Sequence, residues 1–279
     1  MKKIFVLTVV LLVLGVLTSP VGAMIGGTED TGDEVMYPNV GAIVFRWPAY
    51  DDIFVRACTA TLIRPRALVT AAHCVTPLID GGVVPDKVWI TFEPEALFGD
   101  PESNPDEYLE IEDILVHPGS HMSQEYHDIA LVILKYPVDD IEVEPLPTEG
   151  YLGDELDNKK VGDLRKLQFV VVGYGATAWD EYPDIHLDAV RRYGTTTYHN
   201  LLALNIITEK SDANDVVICK GDSGGPVFYV DSNGNEILVG IHSRSTRPDK
   251  SCDDIGQSIK YRLDTESALD WIYANLPED

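Results

Sequence analysis

Short apolar segments separated by turn-forming residues make up most of this chain. In the first half they are rich in valine, isoleucine and alanine, and they lie at residues 40–45, 54–57, 60–63, 67–69, 88–92, 110–116 and 129–134. The second half repeats the pattern at residues 169–172, 227–230, 237–241 and 259–263. Many short strands with frequent turns predict an all-β barrel or sandwich.

A helical pattern is predicted only near the C-terminal end, at residues 267–276. Asp264 or Thr265 can cap this helix, and its apolar residues fall on one side. The acidic stretch at residues 137–153, which proline and glycine interrupt, is the predicted internal boundary.

The N-terminal 23 residues have the pattern of a secretory signal peptide. Lys2 and Lys3 precede an apolar run at residues 4–17, and small residues follow at positions 21–23. This run is shorter than the roughly 20 residues that a membrane-spanning helix needs, although a retained anchor is the alternative. We therefore expect cleavage after residue 23, a secreted or extracellular location with the periplasm also open, and no stable membrane association afterwards.

The cysteine count indicates disulfides, and the net charge excludes two classes of partner. The four cysteines of an exported chain favour two disulfides, and three pairings are possible. The formal net charge of −25 repels nucleic acid and anionic membranes, so neither is an expected partner.

The segment at residues 219–226 reads Cys-Lys-Gly-Asp-Ser-Gly-Gly-Pro and suits a tight loop. Ser223 in such a loop can attack a carbonyl carbon, while the N–H groups of Gly221 and Ser223 stabilise the oxyanion. A glycine-rich surface turn without chemistry is the alternative.

Two further residues supply the chemistry that a serine nucleophile needs. His73 follows a predicted strand, and Asp128 begins another. Taken separately, they could be a core histidine and a charge at a strand edge. Together with Ser223 they provide a base and a carboxylate that orients it.

The segments around these residues resemble the histidine, aspartate and serine motifs of the chymotrypsin/trypsin family of serine peptidases. They are residues 70–74, 128–131 and 221–226, and they follow the family's order. The resemblance implies an all-β fold of two six-stranded antiparallel β-barrels with a C-terminal helix. The peptidase domain would span residues 24–279, with barrels at about 24–142 and about 143–279.

The resemblance also implies two disulfides and an activation mechanism. It pairs Cys58 with Cys74 and Cys219 with Cys252. In this family a newly freed N-terminal amine pairs with the aspartate before the nucleophile, which is Asp222 here. The start Met-Ile-Gly-Gly at Met24 is similar to the family's start, so cleavage of the signal peptide and activation could be one cut.

The function that the resemblance implies is that of a secreted serine endopeptidase acting on proteins or peptides. Ser223, His73 and Asp128 would form its triad, and Ser243 would hydrogen-bond the aspartate. No cofactor or metal is expected; calcium at the acidic segment 93–113 is the alternative to a solvated loop. Two alternatives to the function are an esterase and a non-catalytic binding protein on the same scaffold.

The floor of the specificity pocket in this family is formed by the residue six positions before the nucleophile, which is Val217 here. An apolar floor does not compensate a buried ammonium, so apolar or small residues are expected before the scissile bond. Asp253, Asp254 or, more weakly, Asp215 could restore a basic preference. The residues expected to bind substrate are Val217, Ile218, Lys220, Ser243, Arg244, Ser245 and Gly256.

Overall fold

The structure is a computed structural model, and the part of the chain it describes begins at Met24. The described residues are 24–32, 34–47, 53–82, 87–96, 101, 103–120, 127–176, 178–179, 185–186, 190–246 and 256–278. At residues 47, 53–57, 178–179 and 185–186 the backbone alone is described. The predicted signal peptide at residues 1–23 lies outside the described residues.

The first half of the chain forms a closed six-stranded barrel. Its strands are antiparallel and follow the order β2-β3-β4-β7-β6-β5 around the barrel. A short strand, β1, precedes them. The strands are β1 (Thr28–Glu29), β2 (Val40–Trp47), β3 (Ile53–Arg64), β4 (Ala67–Thr70), β5 (Val88–Thr91), β6 (Leu109–Val116) and β7 (Ala130–Leu134).

The second half forms a second antiparallel barrel. Strand β8 pairs with both β13 and β11, which closes the ring β8-β11-β12-β15-β14-β13, and β1 adds to its outside along β11. A two-stranded hairpin, β9 and β10, lies apart from this ring. The strands are β8 (Gln168–Gly173), β9 (Ala178–Trp179), β10 (Ile185–His186), β11 (Arg192–Leu201), β12 (Asn205–Glu209), β13 (Pro226–Val230), β14 (Glu236–Ser245) and β15 (Gln257–Arg262). The two-barrel, all-β fold implied by the resemblance is confirmed.

The expectation of a single helix is wrong. The described residues contain helices α1 (Ala72–Asp80), α2 (Tyr151–Asp157), α3 (Val161–Leu164) and α4 (Glu266–Asn275). The three unexpected helices have at most nine residues, too few for a clear helical pattern of apolar positions. Within the described part of the chain, no helix is long and apolar enough to cross a membrane.

The C-terminal helix α4 lies where the apolar pattern predicted it. Thr265 is its N-cap, and its side chain accepts a hydrogen bond from the N–H of Ala268. Asp264, the other candidate cap, is instead buried and paired with Arg262 at 2.8 Å. Its second oxygen accepts the N–H of Leu152 at 2.8 Å, which ties the start of α2 to the end of β15.

A buried ion pair joins the N-terminal segment to both barrels. Arg191 Nε lies 2.7 Å from Asp30 Oδ2, and both side chains are almost completely buried. The same guanidinium donates to the backbone carbonyls of Val40 and Phe92 in the first barrel and to the hydroxyl of Tyr174 in the second. Because its donors reach across the junction, this arginine holds the two barrels and residues 24–30 in one arrangement.

Candidate active site

Two paired strands bring His73 and Asp128 together. Thr70 at the end of β4 is the register partner of Ala130 at the start of β7, so the residues flanking these two ends become neighbours. His73 Nδ1 lies 2.8 Å from Asp128 Oδ2, and the His73 backbone N–H donates to Asp128 Oδ1 at 2.9 Å. The carboxylate thus fixes both the ring and the backbone of the histidine.

Ser243 completes the surroundings of this carboxylate. Its hydroxyl donates to Asp128 Oδ2 at 2.6 Å from strand β14. Burial raises the pKa of Asp128, but the hydrogen bonds and charge of His73 and the bond from Ser243 outweigh burial and bring the pKa below its usual value. Asp128 is therefore an ionised, oriented carboxylate next to a half-buried imidazole.

Hydrogen bonds from strand β3 of the first barrel hold the loop that carries Ser223. The backbone N–H of Thr59 donates to the carbonyl of Ser223 at 2.8 Å, and the Thr59 hydroxyl donates to the carbonyl of Gly221 at 2.9 Å. Gly224 has φ of +79°, and a Cβ there would collide with Thr70 Oγ1 and the Thr59 carbonyl. Only glycine fits at this contact.

The loop also presents two backbone N–H groups. Asp222, Gly224 and Gly225 each donate their N–H to a backbone carbonyl within the loop or on β14. Among the described residues, the N–H groups of Gly221 and Ser223 have no such acceptor. Gly221 adopts φ of +101°, a conformation that favours glycine, so the backbone turns sharply between these two donors. The pair is available for an oxyanion.

The disulfide predicted at the histidine segment is confirmed. Cys58 and Cys74 are bonded with Cα atoms 6.0 Å apart, which links β3 to α1 next to His73. Both sulfurs lie near His73, and because they are joined in this disulfide they are not thiolates, the form of cysteine that binds a metal. Cys219 is also disulfide-bonded. Its predicted partner, Cys252, lies outside the described residues.

Three of the residues expected to bind substrate line one pocket. Val217, Ile218 and Gly256 border it together with Ser258. The other described lining residues are Thr196, Glu209, Lys210 and Val216. Lys220, Ser243, Arg244 and Ser245, which were also expected to bind substrate, are not among them.

These four residues have other positions. Lys220 is exposed at the start of the Ser223 loop, where its carbonyl accepts the N–H of Ala176 at 2.7 Å. Ser243 is turned towards Asp128. Arg244 and Ser245 are partly buried at the end of β14.

None of the acids considered for a basic preference lines this pocket among the described residues. The carboxylate of Asp215 accepts hydrogen bonds from Thr197, Gln168 and the backbone of residues 211 and 212, so it organises its own loop. Asp253 and Asp254 lie outside the described residues.

Met24 is buried close to this pocket. It packs in the same apolar cluster as Val216 and Ile218, and Ile25 and Val217 exchange backbone hydrogen bonds at 3.1 Å. The segment predicted to become the new N-terminus is therefore inserted beside the residues that precede Ser223.

Asp222 is completely buried in the same region. Its two oxygens accept the backbone N–H groups of Gly175 and Cys219, each at 2.8 Å. Burial raises the pKa of Asp222 to about 7, although these two N–H groups lower it. A cation beside this carboxylate would favour its ionised form.

Two acids of the segment suggested as a calcium site form ion pairs at the surface. Glu110 pairs with Lys135 at 2.8 Å, and Glu112 pairs with Arg66. Calcium binding there stays an untested alternative.

Sequence reasoning missed the threonines that support the site. Thr59 and Thr70 are completely buried, and the Thr70 hydroxyl donates to the Thr59 carbonyl at 2.8 Å beneath the loop. A threonine inside a strand is common whether or not it supports a loop, so the sequence carries no signal for this role.

The chain is similar to known serine proteases along most of its length. The Trypsin family model matches residues 42–272. Transmembrane protease serine 11G of Mus musculus is 28% identical over 238 residues, which are 77% of this chain and 52% of that protein. Chymotrypsin-C of Bos taurus is 26% identical, covering 88% of this chain and 93% of that protein. The chain spans about half or less of the length of the first curated relatives it matches.

Solved structures show the same fold at lower identity. Human heparin binding protein superposes with a TM-score of 0.61 at 18% identity, over 91% of this chain and 97% of that one. HL collagenase gives a TM-score of 0.61 at 19% identity, over 89% and 96%. With the family model matching residues 42–272, this chain belongs to the Trypsin family.

Proposed function

We propose that this protein is a secreted serine endopeptidase with Ser223 as nucleophile, His73 as base and Asp128 as the carboxylate that orients it. The observation that carries the proposal is the hydrogen-bonded series His73, Asp128 and Ser243, in contact with the first barrel next to the Ser223 loop. Membership of the Trypsin family supports the same chemistry.

The proposed reaction is acyl transfer. The Ser223 oxygen bonds to the peptide carbonyl carbon while His73 takes the hydroxyl proton. The N–H groups of Gly221 and Ser223 stabilise the oxyanion that forms. His73 then gives the proton to the amine as the C–N bond breaks, and water hydrolyses the acyl-enzyme by the same two steps.

Asp128 makes His73 a better base without taking up a proton itself. Its pKa lies below the usual value, so it stays ionised when the imidazole becomes positively charged. A carboxylate 2.8 Å from Nδ1 stabilises that cation and fixes the tautomer that presents Nε2 to the serine.

Location and partners are part of the proposal. The signal-like residues 1–23 support export, and the substrates would be proteins or peptides without a cofactor. Release from the membrane after cleavage of residues 1–23 is also proposed, in contrast to relatives that are named transmembrane proteases.

The side chain of the residue before the scissile bond would enter the pocket lined by Val217 and Ile218. These apolar walls support rejection of lysine and arginine, because a buried ammonium needs a carboxylate to compensate its charge. Among the described lining residues, Glu209 carries the one carboxylate. Glu209 is itself paired with His199 at 2.9 Å. Apolar and small side chains are accepted.

Replacing the nucleophile tests the proposal. We expect Ser223→Ala to lower peptide turnover by on the order of a million-fold, as removal of a nucleophilic serine does in other serine proteases. Ser232→Ala is the matched control, because Ser232 is exposed in the turn between β13 and β14. Purified Ser223→Ala protein that keeps more than about a tenth of the wild-type rate would contradict the assignment.

A further inference from the structure

Three polar side chains pack together inside the second barrel: His242, Ser258 and Lys260, named here the basic cluster. Lys260 Nζ lies 3.0 Å from His242 Nδ1 and donates to Ser258 Oγ at 2.5 Å. All three are buried, and Lys260 is completely so. A core of this kind normally holds apolar side chains, and a lysine is almost never fully buried without a partner of opposite charge.

The basic cluster lies between the Ser223 loop and the pocket. The backbone of His242 accepts the N–H of Gly224 at 2.7 Å and donates to the carbonyl of Gly225 at 2.8 Å. Ser258 lines the pocket that Val217 and Ile218 also line. A group entering this pocket therefore meets Ser258, the residue whose hydroxyl Lys260 contacts.

Among the described residues, the hydrogen-bond partners of the Lys260 ammonium are His242 and Ser258, and neither is an acid. Asp222 is the acid whose charge acts on Lys260, but both Asp222 oxygens accept backbone N–H groups of other residues. Burial lowers the pKa of Lys260 and of His242 well below their usual values. An anion at this position would restore the charged form of Lys260 and offset the cost of its burial.

The walls of the pocket do not themselves supply that anion. Glu209 is the one acid among the described lining residues, and it is paired with His199 and accepts a hydrogen bond from Gln257. The cluster residue that lines the pocket, Ser258, carries a neutral hydroxyl.

We propose that this pocket prefers an acidic substrate side chain before the scissile bond, with Ser258, Lys260 and His242 as the residues that determine the preference. This inference rests on the proposed endopeptidase function and replaces the apolar or small preference that Val217 alone predicts with an acidic one. The methylene groups of a glutamate would pack against Val217 and Ile218. Its carboxylate would reach the Ser258 hydroxyl and the charge of Lys260 behind it.

A peptide series tests the preference in the wild-type protein. The peptides differ only in the residue before the scissile bond, which is Glu, Gln, Asp, Leu, Ala or Lys, and kcat/KM is measured for each. We expect Glu to exceed its uncharged isostere Gln by about tenfold or more, since a charged hydrogen bond of this kind is worth at least one factor of ten. Faster cleavage of Leu or Ala than of Glu would overturn the inference and leave the endopeptidase function standing.

Two variants assign the effect to the cluster. In Lys260→Met the Glu to Gln ratio of kcat/KM should fall towards one, and in Ser258→Ala it should fall by several-fold, while the exposed control Lys166→Met keeps the wild-type ratio. An unchanged ratio in a folded Lys260→Met or Ser258→Ala protein would overturn the assignment. If no peptide is cleaved by the wild-type protein, the proposed function fails, and this inference fails with it.

Discussion

At the scale of single residues, the hydrogen bond from the Ser243 hydroxyl makes a measurable contribution to the stability of the protein. It donates to Asp128 at 2.6 Å, and both side chains are buried. We predict that Ser243→Ala lowers the free energy of unfolding by about 1.5–3 kcal/mol, the usual contribution of a hydrogen bond to a charged group. The pKa of Asp128 should rise, because one of the hydrogen bonds that lower it is lost.

The same change should reduce catalysis. We expect kcat/KM on a peptide substrate to fall by about tenfold, because a less firmly held Asp128 orients His73 less well. Urea unfolding and steady-state kinetics measure the two effects, with Ser232→Ala as the control for loss of a serine hydroxyl. Wild-type stability and activity in Ser243→Ala would show that the hydrogen bond contributes nothing to the site.

At the scale of elements, the contribution of the α4 N-cap to the free energy of unfolding can be measured separately. The Thr265 side chain accepts the N–H of Ala268 at 3.4 Å, and Ala268, Leu269 and Ile272 bury one side of the helix. Thr265→Ala should therefore lower the free energy of unfolding by about 1 kcal/mol, the typical effect of losing such a cap. Activity should stay unchanged, because the capping hydrogen bond joins Thr265 to the helix itself and involves no residue of the proposed triad.

The control for this prediction is another threonine that caps no helix. Thr148 is exposed before α2, whose N-cap is Gly150, so Thr148→Ala should leave the stability within about 0.5 kcal/mol of wild type. A Thr265→Ala protein as stable as Thr148→Ala would contradict the capping role.

The elements that the sequence predicted well are the apolar ones. Strands β2, β3, β4, β5, β6, β7, β8, β13, β14 and β15 overlap predicted segments because apolar and β-branched residues mark them in the sequence. Strands β11 and β12 were not predicted. In β11 the buried positions include Arg192, Thr196 and Thr197, so a pattern of apolar residues does not mark this strand. Only the pairing partners on either side identify it.

The candidate site divides in the same way. His73, Asp128 and Ser223 stand in short motifs that resemble those of a known family, whereas Thr59 and Lys260 stand in none. Lys260 illustrates the limit: in the sequence it follows Ile259 as a charged residue in a strand, which usually faces solvent. Its burial depends on the closure of the second barrel, which no local pattern contains.

At the scale of the whole molecule, the position of the N-terminal segment allows the proposed export to control the state of the candidate site. The buried pair Asp30–Arg191 holds residues 24–30 against both barrels, and Met24 lies inside the second barrel's apolar cluster. In the printed sequence the nitrogen of Met24 belongs to a peptide bond with Ala23. Cleavage at this bond would convert the amide of buried Met24 into an ammonium beside the residues that precede Ser223.

This arrangement predicts a difference in pH dependence between two forms of the protein. In the uncleaved chain, burial raises the pKa of Asp222 to about 7, whereas an unfolded aspartate has a pKa of about 4. The folded chain therefore binds the proton more tightly, and the stability this provides is complete below about pH 4 and is lost as the pH rises through about 7. An ammonium at Met24 would stabilise the ionised carboxylate and remove that loss.

The measurement compares a chain that begins at Met24 with one that keeps Ala23, both carrying Ser223→Ala so that neither cleaves itself. Urea unfolding at about pH 5 and about pH 7.5 should show a larger loss of stability in the chain that keeps Ala23, because its Asp222 ionises without a partner. In Asp222→Asn versions of both chains the difference should disappear, which separates Asp222 from the other acids. With Ser223 restored, the chain that keeps Ala23 should also be the less active, and active secreted protein should begin at Met24 on N-terminal sequencing. Equal pH dependence of the two chains, or a secreted start well away from Met24, would show that the freed amine does not pair with Asp222.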